Sequence, residues 1–360
     1  MVMKNEQQSP AKKIVLGVMS GTSLDGIDLV LVSFYFTDKW HYTVHQVLTQ
    51  PYPEKWVRRL QGANRLNGEA LTALDSAYTA YLAGQLKIFM QANATIDIDF
   101  ISSHGHTVHH QPERGYTYQI GNLPSLAVLT QKKVVCDFRS ADVALGGQGA
   151  PLVPGGEIHL FPDFDACVNL GGFANISVHE HQSVLAYDLC AVNTVLNVLA
   201  QEGGNPYDAG GEMARKGTII SALLTQLEAL SFYAKNPPKS LGIEWVNTEV
   251  VPVLEAFSTF PLADLLHTYV VHIGEIIGQA LPSQGKVLFS GGGVWNHFLM
   301  ESIKANTTAT IEIPSKEVVD FKEAILFAFL GKLRTMDQPN CLASVTGARH
   351  DHCSGEIFFP

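Results

Sequence analysis

An α/β protein of two lobes, each built around a mixed sheet that carries a glycine-tipped hairpin, is the fold class the sequence predicts. Three observations predict it. A chain of 360 residues, 46% hydrophobic and 16% charged, exceeds what one hydrophobic core usually supports, so two lobes with a cleft between them are expected. A strand, glycine turn, strand pattern near the start recurs in the second half. In both halves, strand-like runs alternate with helical ones, the grammar of mixed sheets packed by helices.

The elements follow in chain order. Ile14 to Val18 is a short apolar run that stops at MSGTSLDG, and Ile27 to Phe36 resumes as a second strand. Glu69 to Asn93 carries helix formers with apolar residues at helical spacing, followed by strands at Phe100 to Ser103 and Lys133 to Cys136. Ala166 to Leu170 is then apolar, GGFAN interrupts it, and Ile176 to Val178 continues. After a His/Glu/Gln turn comes a third strand, Val184 to Tyr187. Asn193 to Glu202 and Leu262 to Leu281 read as helices, Lys286 to Ser290 as a strand, and Glu323 to Leu330 as a helix. No stretch is a Ser, Gly or Pro linker, so packed lobes are expected: residues 1–137 with 345–360, and residues 138–344.

Bulk properties narrow the function. With 24 basic against 34 acidic residues the net charge of -10 repels phosphate backbones, and the longest basic runs are pairs, which argues against nucleic acid as a partner. No apolar stretch reaches the roughly 20 residues of a membrane span, and the opening MVMKNEQQSPAKK lacks the apolar core of an export signal, so a cytoplasmic protein with no membrane contact is expected. Five scattered cysteines (Cys136, Cys167, Cys190, Cys341, Cys353) suggest reduced thiols and neither a disulfide scaffold nor a zinc knuckle.

GVMSGTSLDGID, from Gly17 to Asp28, carries the strongest chemical signal. Gly21 and Gly26 permit close backbone approach, Ser20, Thr22 and Ser23 offer hydroxyls, and successive amides in such a turn form an anion nest that suits a phosphate. Asp25 would repel that anion unless magnesium, held through water, lay between. An ordinary polar hairpin tip is the competing interpretation. VNLGGFANIS, with Gly171, Gly172 and Asn175, is weak alone, since a Gly-Gly pair in a strand is more often a bulge. Its weight comes from echoing the first hairpin. Asp188 stands at a strand end before a helix that Asn193 could cap, placed to act as a general base or, less interestingly, to stabilise the helix start. SGGGVWN brings Gly291, Gly292, Gly293 and Asn296 to a helix N-terminus suited to an adenosine or a phosphate.

SHGHTVHHQP invites a metal reading through His104, His106, His109 and His110, but no carboxylate or cysteine spacing completes a tetrahedral set. His104, His106 and Thr107 equally suit hydrogen bonds to sugar hydroxyls. DFRSADVALGGQGAPLVP looks like a lobe-crossing substrate loop, with Arg139 poised for a substrate carboxylate or for an internal salt bridge to Asp137 or Asp142.

With these segments in view, the chain resembles the anhydro-N-acetylmuramic acid kinase family of the actin/hexokinase/Hsp70 superfamily. The resemblance runs from Gly17 to Phe358. Besides the segments above it includes HGHT at His104 to Thr107, QIG at Gln119 to Gly121, PYD at Pro206 to Asp208, PKSLG at Pro238 to Gly242, the helix at Glu323 and SVTGA at Ser344 to Ala348. It implies a two-lobed actin-like ATPase (ribonuclease H-like) fold, with duplicated mixed five-stranded sheets, helices on both faces and a cleft between the lobes. It further implies ATP and Mg2+, an amino-sugar substrate, a homodimer and a place in peptidoglycan recycling. The implied reaction opens a 1,6-anhydro sugar with water and phosphorylates the freed O6. Asp188 matches the base that activates the water, Arg139 falls in the substrate loop, and Glu323 matches a second carboxylate facing the sugar. In that superfamily each lobe supplies one phosphate hairpin.

Two places depart from the family pattern, one loop and one single residue. After the base the family reads Asp-Thr-Gly-Pro-Gly-Asn, and this chain reads Asp188-Leu-Cys-Ala-Val-Asn193. Side chains at Cys190 and Val192 are therefore expected to obstruct a ligand that needs bare backbone, which makes a non-catalytic or altered-specificity paralogue the alternative to a working kinase. His106 stands where the family usually has Gln.

Overall fold

The computed structural model describes residues 12–21, 23–180 and 183–360, in two compact units. Thr22, residues 1–11 at the opening, where no export signal is expected, and His181 and Gln182 of the polar turn lie outside the described residues. The first unit comprises Met1–Phe161 with Phe321–Pro360, and the second Pro162–Asp320. The expected division lies at 137/138 and 344/345. Segments 138–161 and 321–344 group with the first unit because they pack on its sheet: Ser102 Oγ donates to the Phe327 carbonyl at 2.6 Å, and Phe34 meets Phe329 at 5.1 Å between ring centroids.

In the first unit, β1 (Lys13–Ser20), β2 (Gly26–Phe36) and β3 (Trp40–Pro51) form an antiparallel meander. β4 (Phe100–Gln111) pairs parallel with β1 and, on its other side, with β6 (Val134–Cys136). β5 (Tyr116–Ile120) folds back on β4, and the C-terminal β12 (Glu356–Phe358) extends the edge at β6, giving seven strands where five were expected. Leu16, Leu29 and Leu31 point one way, toward Tyr78, Leu82 and Leu86 of the Gly68–Ala92 helix. The opposite face meets the Lys316–Arg334 helix, which kinks at Phe321. A Cβ on Gly17 would stand 2.4 Å from the Ala324 carbonyl, so only glycine lets that helix lie against β1.

The second unit repeats the order. β7 (Ala166–Leu170), β8 (Phe173–His179) and β9 (Val184–Ala191) are an antiparallel meander. β10 (Lys286–Ser290) pairs parallel with β7 and with β11 (Thr310–Glu312). Strand order 11-10-7-8-9 thus matches 6-4-1-2-3, the duplication that two glycine-tipped hairpins predicted. The core joins Val168, Leu170 and Ile176 to Leu265, Tyr269 and Ile273 of the Leu262–Ala280 helix and to Val195 and Leu199 of the Asn193–Glu202 helix. No helix among the described residues is long and apolar enough to cross a membrane.

Candidate functional site

In the first unit the GVMSGTSLDGID segment closes the β1–β2 hairpin, and its residues divide by burial. Ser20 is 3% exposed and fully engaged: its Oγ lies 2.7 Å from Tyr52 OH and 2.9 Å from His106 Nδ1, and Tyr52 OH lies 2.5 Å from Tyr78 OH. These four side chains make one buried hydrogen-bonded relay. Gly26 is also inside, with its α-carbon face against the Gln50 carbonyl, and packs β2 on β3. Gly21, Ser23 and Asp25 remain at the surface of the tip. The Asp25 carboxylate makes no hydrogen bond to a described residue, which suits a cation approached through water.

His104 and His106 lie on β4, which runs through the whole HGHT segment where the sequence suggested only its first residues. His104 Nδ1 faces the Gly105 carbonyl at 2.9 Å; a carbonyl can only accept, so Nδ1 carries the proton and Nε2 accepts from Arg139 Nε at 2.9 Å. That geometry requires a neutral imidazole. Burial, then the Arg139 guanidinium, hold His104 well below the usual histidine range, and burial lowers His106 to about 4. Thr107, half-buried, pairs with Gln119 on β5. The four histidines of the segment do not gather as a metal-ligand group among the described residues.

Arg139 donates through Nη1 to the Gly149 carbonyl at 2.5 Å, so its partners are His104 and backbone. Neither Asp137 nor Asp142 is its hydrogen-bond partner: Asp137 accepts from Ser140, and Asp142 from Gly149 N and Thr346 Oγ1. Nη2 is left without a hydrogen bond among the described residues. Burial lowers Arg139 to about 10, partly offset by Glu323. Glu323 stays open to solvent in crowded surroundings, which raise its carboxyl against the pull of Lys322 and Arg139. Asp28 adds to that rise and accepts from Thr49 Oγ1 at 2.6 Å.

In the second unit, register places Asn169, Asn175 and Asp188 opposite one another on β7, β8 and β9, a polar row on one sheet face. Asp188 is half-buried. Its amide donates to the Lys239 carbonyl at 2.9 Å and its Oδ2 accepts from Leu241 N at 2.8 Å, so the PKSLG segment clamps it on two sides. Burial raises its carboxyl, and the Leu241 amide moderates the rise.

Gly171 and Gly172 form the β7–β8 turn, which is pinned by the helix that follows β9. Gly172 O accepts from the amides of Val192 and Thr194, and Gly171 O accepts from Asn193 Nδ2 at 2.8 Å. Asn193 is thus the first residue of its helix and a brace for the turn, not the cap expected of it; Val192 holds the cap position. Gly291, at φ 83, turns the chain after β10 against Leu170; Gly292 has no neighbour in the space a side chain would take, and Gly293 rests on Leu170. Asn296 caps the His297–Ala305 helix by accepting from Leu299 N at 3.0 Å.

Cys190, Ala191 and Val192 are all at 0% exposure and Leu189 at 2%, inside the second core. β9 runs four residues beyond Tyr187, the end expected from sequence, because these residues continue its pairing: Cys190 opposite Ala174 and Ala191 opposite Phe173. Cys190 and Val192, the side chains expected to obstruct a ligand, pack into this core.

Some contributors escaped the sequence reading. Tyr52 and Tyr78 carry no local signal, and only the fold brings them to Ser20. Lys239 and Leu241 sit in the quoted PKSLG run, and Asp28 in GVMSGTSLDGID, but spacing alone assigned them no task.

A family model described as "Anhydro-N-acetylmuramic acid kinase" matches residues 13–360. Curated relatives bearing that description include a protein of Burkholderia cenocepacia, 33% identical over 97% of this chain and 97% of its own length. Another, from Bacillus cereus, is 32% identical over 96% of this chain and 99% of its own.

Proposed function

The chain belongs to the anhydro-N-acetylmuramic acid kinase family, and from that premise we propose that this ATP-dependent sugar kinase hydrolytically opens 1,6-anhydro-N-acetylmuramic acid and phosphorylates its O6. The observation that carries the reading is the clamp on Asp188, a half-buried carboxylate with one oxygen bonded to Leu241 N and the other left for a proton. Burial raises its basicity toward what a general base needs.

Asp188 takes a proton from the water that attacks the anomeric carbon. The C1–O6 bond breaks, O6 attacks the γ-phosphorus of ATP, and ADP leaves with the electron pair of the cleaved P–O bond. The products are N-acetylmuramic acid 6-phosphate and ADP. Arg139, with Nη2 uncommitted, is assigned to the sugar's carboxylate. His104 fixes that guanidinium, and Thr107, His106 and Glu323 are assigned to the sugar side. Gly21, Ser23, Gly171, Gly172 and Asn175 are assigned to the phosphates, and Gly291, Gly292, Gly293 and Asn296 to the adenosine. Gly17, Ser20 and Gly26 support these from inside, through packing and the tyrosine relay. Asp25 would hold magnesium through water, and the ion would supply charge neutralisation on the phosphates. A cytoplasmic homodimer serving peptidoglycan recycling is part of the same proposal.

Purified protein incubated with ATP, magnesium and the anhydro sugar is expected to yield ADP and a sugar 6-phosphate. ATP binding without turnover on this or any amino sugar would sink the proposal in favour of a non-catalytic paralogue.

A further inference from the structure

We propose that Asp142, Cys341 and His352 form a zinc site beside the Arg139 loop. Their donor atoms lie within 4.8 Å of one another, and the three residues are 0%, 1% and 8% exposed. Carboxylate, thiolate and imidazole together are a zinc-type donor set.

The backbone presents these donors before any ion arrives. Cys341 and His352 exchange both amide-to-carbonyl bonds at 3.1 Å, as an isolated antiparallel bridge, so their side chains project to the same side. Asn340 fixes that bridge from behind, donating to the Leu330 and Ser354 carbonyls and accepting from Ser354 N. Asp142 is held by Gly149 N at 2.7 Å and Thr346 Oγ1 at 2.7 Å, which leaves lone pairs on both oxygens.

His352 supplies the independent observation. Its Nδ1 faces the His350 carbonyl at 3.2 Å and so carries the proton, which turns the Nε2 lone pair inward. Nε2 is buried and has no hydrogen-bond partner among the described residues. Its nearest carboxylate oxygen, Asp142 Oδ1, is 3.6 Å away. That is too long for a hydrogen bond. It is also the separation of two ligands on one tetrahedral ion, since bonds of about 2.0–2.2 Å subtend roughly 3.3–3.6 Å. An imidazole orphaned opposite a carboxylate at that spacing is accounted for by a cation between them.

Binding releases one proton, from the Cys341 thiol, and solvent completes the tetrahedron. The ion would tie the Cys341–Ser354 segment to the Asp142–Gly149 loop whose Gly149 carbonyl holds Arg139.

The test uses the tag-free full chain, stripped with chelator and dialysed against limiting zinc, with metal measured by mass spectrometry and stability by melting. One retained zinc per chain and a rise in melting temperature are expected. Cobalt in place of zinc should show the thiolate charge-transfer band of a Co–S bond. Cys341→Ser should abolish the band, and His352→Gln should weaken zinc binding by more than the roughly 10–100-fold that loss of an outer-shell partner costs. Cys353→Ser and His350→Gln should change neither. Absence of stoichiometric zinc and of the cobalt band in the wild-type chain overturns the site and leaves a His352–Asp142 ion contact. Loss of the band in Cys353→Ser but not in Cys341→Ser overturns the ligand assignment.

Discussion

The amide of Leu241 donates a 2.8 Å hydrogen bond to Oδ2 of Asp188, across 53 residues of chain. One carboxylate oxygen is thereby fixed, and with the Lys239 carbonyl accepting from the Asp188 amide, the side chain cannot swing without breaking the PKSLG clamp. Asp188→Asn preserves an acceptor for Leu241 and removes the basicity. Turnover of the anhydro sugar is expected to fall by about 10²–10⁴-fold, with the melting temperature nearly unchanged. A steady-state assay beside a thermal melt checks this, and a variant retaining full turnover would remove Asp188 from the base role.

Restoring glycine at positions 190 and 192, an obvious repair from the family pattern, is expected to harm the protein. Both side chains are fully buried among Leu189, Val195, Tyr269 and other core residues. Val192→Gly should cost about 2–4 kcal/mol through the cavity and added backbone freedom, and Cys190→Gly somewhat less. Urea unfolding measures the loss. A gain in kcat/KM in either variant would mean that these side chains do obstruct the ligand.

What the sequence made legible was the part written in local patterns. β7, β10 and the Asn193–Glu202 helix fall where apolar runs and turn signals put them, because their burial is patterned within a few residues. β3, β5, β11 and β12 have no counterpart among the expected strands. β3 alternates weakly and is largely solvent-facing, and β12 spans only Glu356–Phe358, formed by pairing with a strand far away in sequence. The same limit governs the site. Glycine turns announce themselves, but the Ser20–Tyr52–Tyr78–His106 relay and the Arg139–His104 bond depend on long-range register and were unreadable in advance.

Two glycines of the motif segments should respond oppositely to alanine. At Gly17 a methyl group meets the Ala324 carbonyl and the Ala328 side chain, so Gly17→Ala is expected to destabilise the fold by roughly 1–3 kcal/mol. At Gly292 nothing lies within 4 Å of the added carbon. Gly292→Ala should therefore melt like the parent and, if the turn receives nucleotide as proposed, raise the KM for ATP. Equal ATP kinetics in a normally folded Gly292→Ala would remove that turn from the nucleotide site.

Acid should unfold the protein in a window set by its buried imidazoles. His106 is lowered by burial to about 4, from an ordinary value near 6.5, and His104 is held well below that ordinary value by burial and Arg139. Between those values the unfolded chain binds protons that the folded chain refuses, so stability rises with pH across the window and is lost as pH falls through it. For His106 the shift corresponds to at most about 3 kcal/mol, exhausted once the folded state also protonates near pH 4. Protonation at Nδ1 leaves Ser20 Oγ able only to accept there, which still permits its bond with Tyr52; the cost is desolvation of the buried charge. His106→Gln removes this titration while keeping a hydrogen-bonding group beside Ser20. Urea midpoints measured from pH 7 to pH 4 should fall less steeply in the variant than in the parent, and parallel slopes would show that His106 is not held neutral by the fold.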